Sequence, residues 1–277
     1  YYGQLAVDDS HHVITGAMAD FADKRDSQCL PSILGQAIEN LKKNEIQIDQ
    51  VTADTGFSSG EALSYCEVKG IDAYIPNHGQ YKASREGFVF NKELNQYECT
   101  RGNKAILPFR RIKTDNKGYQ WKTYRSNNSK CKSCALRKSC IGKSDFKKLE
   151  DTIDKPYYDR MHIKMQTPYA KKIAKIRSRT VEPVLRTLIN FLNMKRVNTR
   201  GIHQATKHVL MAALCYNLKK YMKLQTKNVQ SVAMALTYCK KESLTYLKSD
   251  ISEVIGSFLC ELNFPQIFRS TKLSMQI

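Results

Sequence analysis

The chain has 277 residues, of which 42% are hydrophobic, and its 45 lysines and arginines against 26 aspartates and glutamates give a formal charge of +19. This composition supports one or two folded domains and excludes wholesale disorder. The longest uninterrupted apolar stretch, at residues 209–216, is far shorter than the roughly 20 residues that a membrane-spanning helix needs, which excludes a transmembrane protein.

The first residues and the cysteines indicate the compartment in which the protein works. Residues 1–8 alternate like a strand and carry no basic leader followed by an apolar run, so no export signal is in view. Nine cysteines without a secretory segment favour reduced thiols or metal ligands over a disulfide framework. We therefore expect a soluble cytoplasmic protein without a membrane partner.

Positive charge is concentrated in the middle of the chain. Residues 1–80 carry a net charge of −7, residues 81–150 and 151–225 carry +12 each, and residues 226–277 carry +2. A field of this sign attracts polyanions, which favours a nucleic-acid partner over a basic surface that is merely solvated. The net charge alone does not indicate which reaction the protein catalyses.

Residues 1–76 predict an α/β layered domain with the order β-β-α-β-α-β. The predicted elements are a strand hairpin at 2–7 and 12–19, a helix after Asp26 and Ser27, a strand at 46–53, a helix capped by Ser58 or Ser59 that runs to Lys69, and a strand at 71–75. Apolar residues three and four apart mark the first helix, and Gly70 is the expected stop of the second.

The rest of the chain divides into three further segments. Residues 77–145 are polar and basic with short aromatic runs, and we interpret them as an inserted β-rich subdomain that carries clustered cysteines. Residues 146–225 are predicted to be helical, with a weak pattern at 157–175 followed by strong apolar stripes at 181–192 and 202–222. Residues 226–277 are expected to form a helical C-terminal tail.

Two acidic residues are candidates for chemistry. Asp54 lies between a strand and a glycine turn, at the sheet edge where α/β folds place ligands. The alternative to a role in chemistry is a turn aspartate that only hydrogen-bonds the backbone. Glu182 is the only acidic residue between Asp159 and Glu242; the alternative is a first-turn glutamate that interacts with the helix dipole. Two carboxylates from separate elements can hold Mg²⁺ and support in-line displacement at a phosphodiester.

Four cysteines predict a metal site in the inserted segment. Cys131, Cys134 and Cys140 form a C-x2-C-x5-C pattern, and Cys99 lies upstream in a turn-like setting. Four thiolates satisfy a closed tetrahedral zinc site, whereas free or redox-active thiols are the alternative. The other five cysteines lie in helical stripes and are expected in the core: Cys29, Cys66, Cys215, Cys239 and Cys260.

Several short motifs follow one another along residues 1–222. They are GQLAVD at 3–8 with HVI at 12–14, ADTGFS at 53–58, GIDAYIP at 70–76, the cysteines at 131–140, RTVEPV at 179–184, and RGI at 200–202 with ALCYNLKK at 213–220. In this order and spacing the chain resembles a DDE transposase of bacterial insertion sequences, of the group with a cysteine-bearing insertion between the second and third acidic residues. GQLAVD and HVI resemble the family's second and third strands, ADTGFS its second-aspartate motif, and RTVEPV its glutamate motif.

The resemblance implies a ribonuclease H-like fold in which Asp54 is the second catalytic acid and Glu182 the third. The family's first aspartate lies on a central strand upstream of the strand that residues 2–7 match. The resemblance therefore implies an N-terminally truncated, catalytically incomplete chain, and neither Asp8 nor Asp26 is assigned the missing role. Without the central strand, the strands at 2–7 and 46–53 are expected to lose the partner between them and the chain to be poorly stable.

After the glutamate, the chain departs from the family pattern. Leu185 and Arg186 stand in place of a frequent Phe-Gly pair, and Ile189 in place of a lysine. The resemblance then leaves the phosphate contact of that lysine to the arginines nearby, Arg177, Arg179 or Arg186.

The function implied by the resemblance is Mg²⁺- or Mn²⁺-dependent cleavage and transfer of DNA strands in the transposition of an insertion sequence. The implied partners are DNA, at the element ends and the target, and a second copy of the chain in the synaptic complex at the nucleoid. The basic residues expected to contact DNA are Lys171, Lys172, Lys175, Arg177, Arg179, Arg186, Lys195, Arg196 and Arg200. A non-catalytic, zinc-stapled nucleic-acid-binding module is the alternative, and it would need neither Asp54 nor Glu182.

Overall fold

The computed structural model describes residues 1–79, 81–116, 118–238 and 271–276, with side chains described up to residue 225. The chain divides into two compact units, one made of Tyr1–Ile75 and Thr167–Ile277 and the other of Pro76–Gln166. Most of the tail that was expected to be helical, residues 239–270, lies outside the described residues, as do Cys239 and Cys260.

Both units combine strands with helices. The first unit begins with β1 (Tyr2–Asp8), β2 (Ile14–Asp20), α1 (Asp26–Lys42), β3 (Ile48–Thr52), a 3₁₀ turn (Thr55–Phe57), α2 (Gly60–Val68) and β4 (Asp72–Tyr74). The second unit contains β5 (Phe88–Asn91), β6 (Gln96–Cys99), β7 (Ile106–Thr114), β8 (Gln120–Arg125), α3 (Asn128–Lys132), α4 (Arg137–Cys140), β9 (Lys148–Thr152) and α5 (Lys155–Met165). The first unit then continues with α6 (Pro168–Phe191), α7 (Ile202–Tyr238) and β10 (Thr271–Gln276).

Local sequence signals account for the first part of the first unit. The predicted hairpin is confirmed as β1 and β2, and α1 buries the periodic face that contains Ile33, Leu34 and Ala37. Ser59 caps α2, because its Oγ accepts a hydrogen bond from the Ala62 N–H at 3.1 Å. Gly70 ends this segment with a φ of +69°, a left-handed conformation that glycine adopts at little cost.

The sheet of the first unit has the order β2-β1-β10-β3-β4, so a C-terminal strand occupies its centre. β10 pairs antiparallel with β1, where Leu5 lies opposite Gln276, and parallel with β3, where Ser274 lies opposite Thr52. The prediction of a helical tail is therefore wrong at 271–276. The expectation that β1 and β3 lack a partner between them is also wrong, because β10 satisfies the backbone N–H and C=O groups of both inner edges.

Helices cover both faces of this sheet. On one face, Leu5 and Val7 of β1 pack into a buried cluster with Val181, Val184 and Leu188 of α6 and with apolar residues of α7. On the other face, α1 packs so closely that a Cβ added at Gly16 would lie 3.3 Å from Ile33. The first unit is thus a mixed, three-layered α/β structure.

The second unit is built on an antiparallel sheet with the order β5-β6-β7-β8-β9, as its predicted β-rich character requires. Its small core consists of Tyr97, Leu107 and Tyr124, and the two tyrosine rings pack edge to face at 5.1 Å. The unit continues past residue 145, because β9 completes the sheet and α5 is held by a hydrogen bond from Asn77 Nδ2 to the Tyr158 carbonyl. Among the described residues, no helix combines the length and apolar composition needed to cross a membrane.

Candidate metal and nucleic-acid sites

Asp54 lies where β3 gives way to the 3₁₀ turn, as the sequence predicted. Its side chain is exposed and accepts a hydrogen bond from the Thr55 N–H at 2.7 Å, which caps the turn. The backbone hydrogen bond of the alternative interpretation is therefore present. A single N–H occupies only part of the carboxylate's acceptor capacity, so the same side chain remains available to a cation.

A second carboxyl group lies next to Asp54. Asp26, in the first turn of α1, approaches the turn so closely that a Cβ added at Gly56 would lie 2.6 Å from its Oδ2. Burial and the negative charge of Asp54 together raise the pKa of Asp26 above its ordinary value. From sequence, Asp26 is placed at a helix start and assigned no catalytic role. The one local sign of its approach to the turn is Gly56, which leaves room for the Asp26 carboxyl group.

Glu182 lies well inside α6 rather than at the head of a helix. The helix begins at Pro168, where Thr167 Oγ1 accepts a hydrogen bond from the Ala170 N–H at 3.2 Å. The prediction of a helix start near Glu182 is wrong because Pro183, a residue common in first turns, here stands in a helix interior. A first-turn interaction with the helix dipole therefore does not explain Glu182, since that effect fades within one turn.

Glu182 is exposed and stands in a row of cations along α6. Lys175 and Arg179 precede Glu182 by seven and three residues and Arg186 follows it by four, which places all three on its face of the helix. Ser178 Oγ donates a hydrogen bond to Glu182 Oε1. The opposite face, with Val181, Val184 and Leu188, is buried against the sheet.

The elements next to the two candidate acids are neighbours, but Glu182 lies on the exposed face of α6, opposite the face that is buried against the sheet. Asp54 follows β3, and α6, which carries Glu182, packs against β1, β3, β4 and β10. Over the described ranges 1–79, 81–116, 118–238 and 271–276, however, no three His, Cys, Asp or Glu side chains have the spacing of a metal site. A metal ion shared by Asp54 and Glu182 therefore stays a prediction.

The residues predicted to contact DNA are mostly on the surface. All of them except Arg177 are exposed, and Lys195, Arg196 and Arg200 lie in the loop between α6 and α7. Arg177 is half-buried, and its Nη1 atom has no hydrogen-bond partner in the part of the chain that the structure describes.

The four cysteines of the inserted segment surround one cavity of about 350 Å³ in the second unit. Cys99 ends β6, Cys131 and Cys140 belong to α3 and α4, and Cys134 lies between these helices. None of the four is in a disulfide; Cys99 Sγ donates to the Arg101 carbonyl at 2.6 Å and Cys131 Sγ to Ser126 Oγ at 3.0 Å. In the described part of the chain they do not reach metal-ligand spacing.

Two of the remaining cysteines follow the prediction of a core position. Cys29 and Cys66 are buried, and burial raises the pKa of the Cys29 thiol to about 11. Cys215 is exposed on α7, so its predicted burial is wrong. That part of the helix is apolar on most sides, and the sheet covers only the side with Ala212, Ala213 and Tyr216.

Part of the chain resembles a known protein family. Residues 98–222 match the family model described as the transposase DDE domain. The matched range contains Glu182 and all four cysteines of the cavity, whereas Asp54 lies ahead of it. Searches of curated proteins and of solved structures found no significant match. The family match supports a DDE transposase, a class that generally uses divalent metal ions and acts on DNA.

Proposed function

We propose that this chain supplies two of the catalytic acids, Asp54 and Glu182, of a transposase that catalyses Mg²⁺- or Mn²⁺-dependent cleavage and transfer of DNA strands in the transposition of an insertion sequence. The observation that carries the proposal is the exposed Glu182 within the cationic row of α6, inside the range that matches the transposase DDE domain. In this proposal the carboxylate would bind the divalent ion and the neighbouring cations would bind the phosphodiester.

In this proposal the first unit is a ribonuclease H-like core. Its support is a five-stranded sheet with helices on both faces, in which the central strand runs antiparallel to β1 and parallel to β3. The resemblance implies a central strand between the strands at 2–7 and 46–53. Here β10 takes the central position.

The carboxylates of Asp54 and Glu182 would hold the divalent cation, whose oxygen-ligand preference they match. Burial and, after it, the charge of Asp54 raise the pKa of the neighbouring Asp26, and a cation bound at Asp54 would offset the second of these effects. When bound, Mg²⁺ activates an attacking oxygen and neutralises a leaving one. Lys175, Arg179 and Arg186 would hold the phosphodiester beside Glu182.

The proposed partner is DNA, at the element ends and at the target, and a second copy of the chain in the synaptic complex. A protein with this substrate works where the genome is, which in a bacterium is the cytoplasm at the nucleoid. The basic residues on and after α6 supply the attraction to the phosphate backbone.

The test compares Asp54→Asn and Glu182→Gln with the wild type in the natural gene product. We expect each variant to lose Mg²⁺-dependent cleavage of element-end DNA by several orders of magnitude while DNA affinity stays within about threefold, because the carboxylates act on the reaction rather than on binding. Glu61→Gln, a change of the same type on the exposed surface of α2, is the matched control and should retain cleavage. Cleavage retained by either carboxylate variant would overturn the assignment and leave a DNA-binding module.

We further propose that Cys99, Cys131, Cys134 and Cys140 bind one structural Zn²⁺ as thiolates. The support is their shared cavity and a donor set of four sulfurs, which is typical of closed zinc sites with Zn–S distances of about 2.3 Å. Metal analysis of the purified protein should find about one zinc per chain, and Cys131→Ser with Cys134→Ser should abolish it. Cys215→Ser, an exposed cysteine in the first unit, should retain the zinc. A zinc-free wild-type protein with an intact second unit would refute the site.

A further inference from the structure

The sheet of the second unit has two unlike faces. Cross-strand partners share a face, so Phe109 opposite Tyr124 and Tyr124 opposite Leu149 define the side that carries the aromatic core. The same pairing places the opposite set on the other side: Arg111 with Thr123, Lys113 with Trp121, Thr123 with Glu150, and Arg125 with Lys148. One side is thus a packed core, and the other side carries cations.

A register irregularity adds one more cation to this second side. Between Phe109 and Arg111 the pairing of β7 with β8 shifts, so Arg110 is left without a partner opposite it. Consecutive strand residues normally face opposite sides, but here both Arg110 and Arg111 line one open pocket of about 580 Å³. Arg125 and Lys148 line the same pocket. We refer to Arg110, Arg111, Lys113, Arg125 and Lys148 as the cationic face.

The charges of the cationic face are only partly neutralised within the protein. The ion-paired basic residues in the described part of the second unit are Arg85, Arg101, Arg137, Lys148 and Lys155. Arg110 and Arg111 are not among them, and both are exposed. Two acidic residues lie on this side by register: Glu150, paired with Lys148 at 2.6 Å, and Glu98 of β6, whose neighbour Tyr97 faces the core.

Aromatic surfaces accompany the cations. The Arg125 guanidinium lies 3.6 Å from the centre of the Phe146 ring, and its Nη2 donates to Asn128 Oδ1 at 3.2 Å, so its orientation is fixed. Trp121, opposite Lys113, is 37% exposed. A positively charged groove with exposed aromatic rings is typical of single-stranded nucleic-acid binding, since phosphates pair with the cations and unpaired bases stack on the rings.

We propose that the cationic face and Trp121 form a binding site for single-stranded DNA. Phosphates occupy the pocket of Arg110, Arg111 and Arg125, and a base stacks on Trp121. The inference rests on the proposed function and names the DNA form that this site takes, because cleavage and transfer of strands generate unpaired ends. The second unit then holds a DNA strand by itself, through residues outside the basic row of α6.

The wild-type protein supplies the first test, because Trp121 is the only tryptophan of the chain. Its fluorescence is followed during titration with an oligothymidylate of about 20 nucleotides, longer than the ~4–16 nucleotides that one single-strand-binding fold covers. We expect saturable quenching with the same Kd as fluorescence anisotropy of the labelled oligonucleotide. The matched duplex should quench much less, because its bases are already stacked. Binding of the oligonucleotide without quenching, or equal quenching by duplex and single strand, would overturn the proposal.

Variants supply the second test. Arg110→Glu with Arg111→Glu should weaken oligothymidylate binding by about tenfold or more. The slope of log K against the logarithm of the salt concentration should become shallower by about 1.4, or about 0.7 for each lost phosphate contact. Arg110→Lys with Arg111→Lys should retain most of the affinity, since the charge remains. Lys92→Glu with Lys143→Glu reverses the same number of charges at exposed positions outside the cationic face and should have little effect.

The outcomes separate this inference from the proposed function. If the Arg110→Glu, Arg111→Glu variant binds the oligonucleotide as tightly as the wild type, the cationic face is not the binding site. That result would leave the proposed cleavage by Asp54 and Glu182 unaffected. If the reversals lose binding no more than the Lys92 and Lys143 control does, the effect is general electrostatics and the inference fails. If the wild type binds no DNA of any form, both proposals fail.

Discussion

Asp26 and Asp54 meet because the start of α1 passes over the turn that follows β3, and Gly56 leaves space for the contact. Their repulsion has a measurable consequence. In metal-free buffer, Asp54→Asn should lower the pKa of Asp26 toward, but not to, its ordinary value, because the charge is removed and the burial remains. Carboxyl-resolved NMR titration measures this directly. Asp49→Asn, an exposed change on β3, should leave the pKa of Asp26 unaltered.

The same pKa shift makes a prediction for stability against pH. A carboxyl group with a raised pKa in the folded state holds its proton more tightly there than in the unfolded state. Asp26 therefore favours folding most at acidic pH, and this contribution falls as the pH rises through its folded pKa. Asp26→Asn should reduce that decline in urea-unfolding free energies between acidic and neutral pH. An unchanged pH profile would contradict the placement of Asp26.

At the scale of single elements, the side chain of Asn217 on α7 makes two hydrogen bonds with the backbone of β2. Asn217 Oδ1 accepts from the Ile14 N–H at 2.9 Å, and its Nδ2 donates to the Ile14 carbonyl at 2.8 Å. Asn217→Leu removes both bonds and leaves two backbone groups unpaired, which should cost on the order of 1–3 kcal/mol for each buried group. Urea unfolding measures the loss. Asn190→Leu, an exposed change on α6, should have an effect within about 0.5 kcal/mol.

The position of β10 can be tested with one residue. Ser274 lies opposite Val7 of β1 and Thr52 of β3, in the middle of the central strand. Ser274→Pro removes a ladder donor and should destabilise the first unit by several kcal/mol, since proline is confined to edge strands. Ser274→Thr retains the N–H and suits a strand, so its free energy of unfolding should stay close to that of the wild type. Equal stability of the two variants would show that β10 is not central.

At the scale of the whole molecule, the chain has two units that differ in what stabilises them. The first has a large apolar core between sheet and helices, whereas the core of the second unit's sheet is built on three fully buried side chains, Tyr97, Leu107 and Tyr124. If zinc closes the cysteine cavity, a chelator should lower the unfolding temperature of the second unit by at least about 10 °C and leave the first unit almost unchanged. Limited proteolysis during thermal unfolding separates the two units.

The matched control for this experiment is the protein without the thiols. Cys131→Ser with Cys134→Ser should already unfold at the lower temperature and should not respond to the chelator. A chelator effect of equal size in this variant, or on the first unit, would show that metal binding elsewhere causes the shift.

Sequence by itself determined the elements whose signals are local. The hairpin of β1 and β2, the apolar periodicity of α1 and the cap at Ser59 depend on residues a few positions apart, and the structure has all three. The elements that sequence reasoning missed had ambiguous local signals. Pro183 resembles a first-turn proline, although the capping that starts α6 is at Thr167, and residues 271–276 are too short a strand signal to stand against a helical context.

Tertiary structure decided every juxtaposition between distant residues. β10 lies between β1 and β3 because two inner edges require backbone partners, and only pairing across the whole chain shows which segment supplies them. The approach of Asp26 to Asp54, the common cavity of four cysteines and the shift that turns Arg110 toward Arg111 likewise depend on how loops and registers meet. The spacing of the cysteines predicted their common site, but the other two juxtapositions have no such signal, because their free energy comes from the packing of elements and not from local propensity.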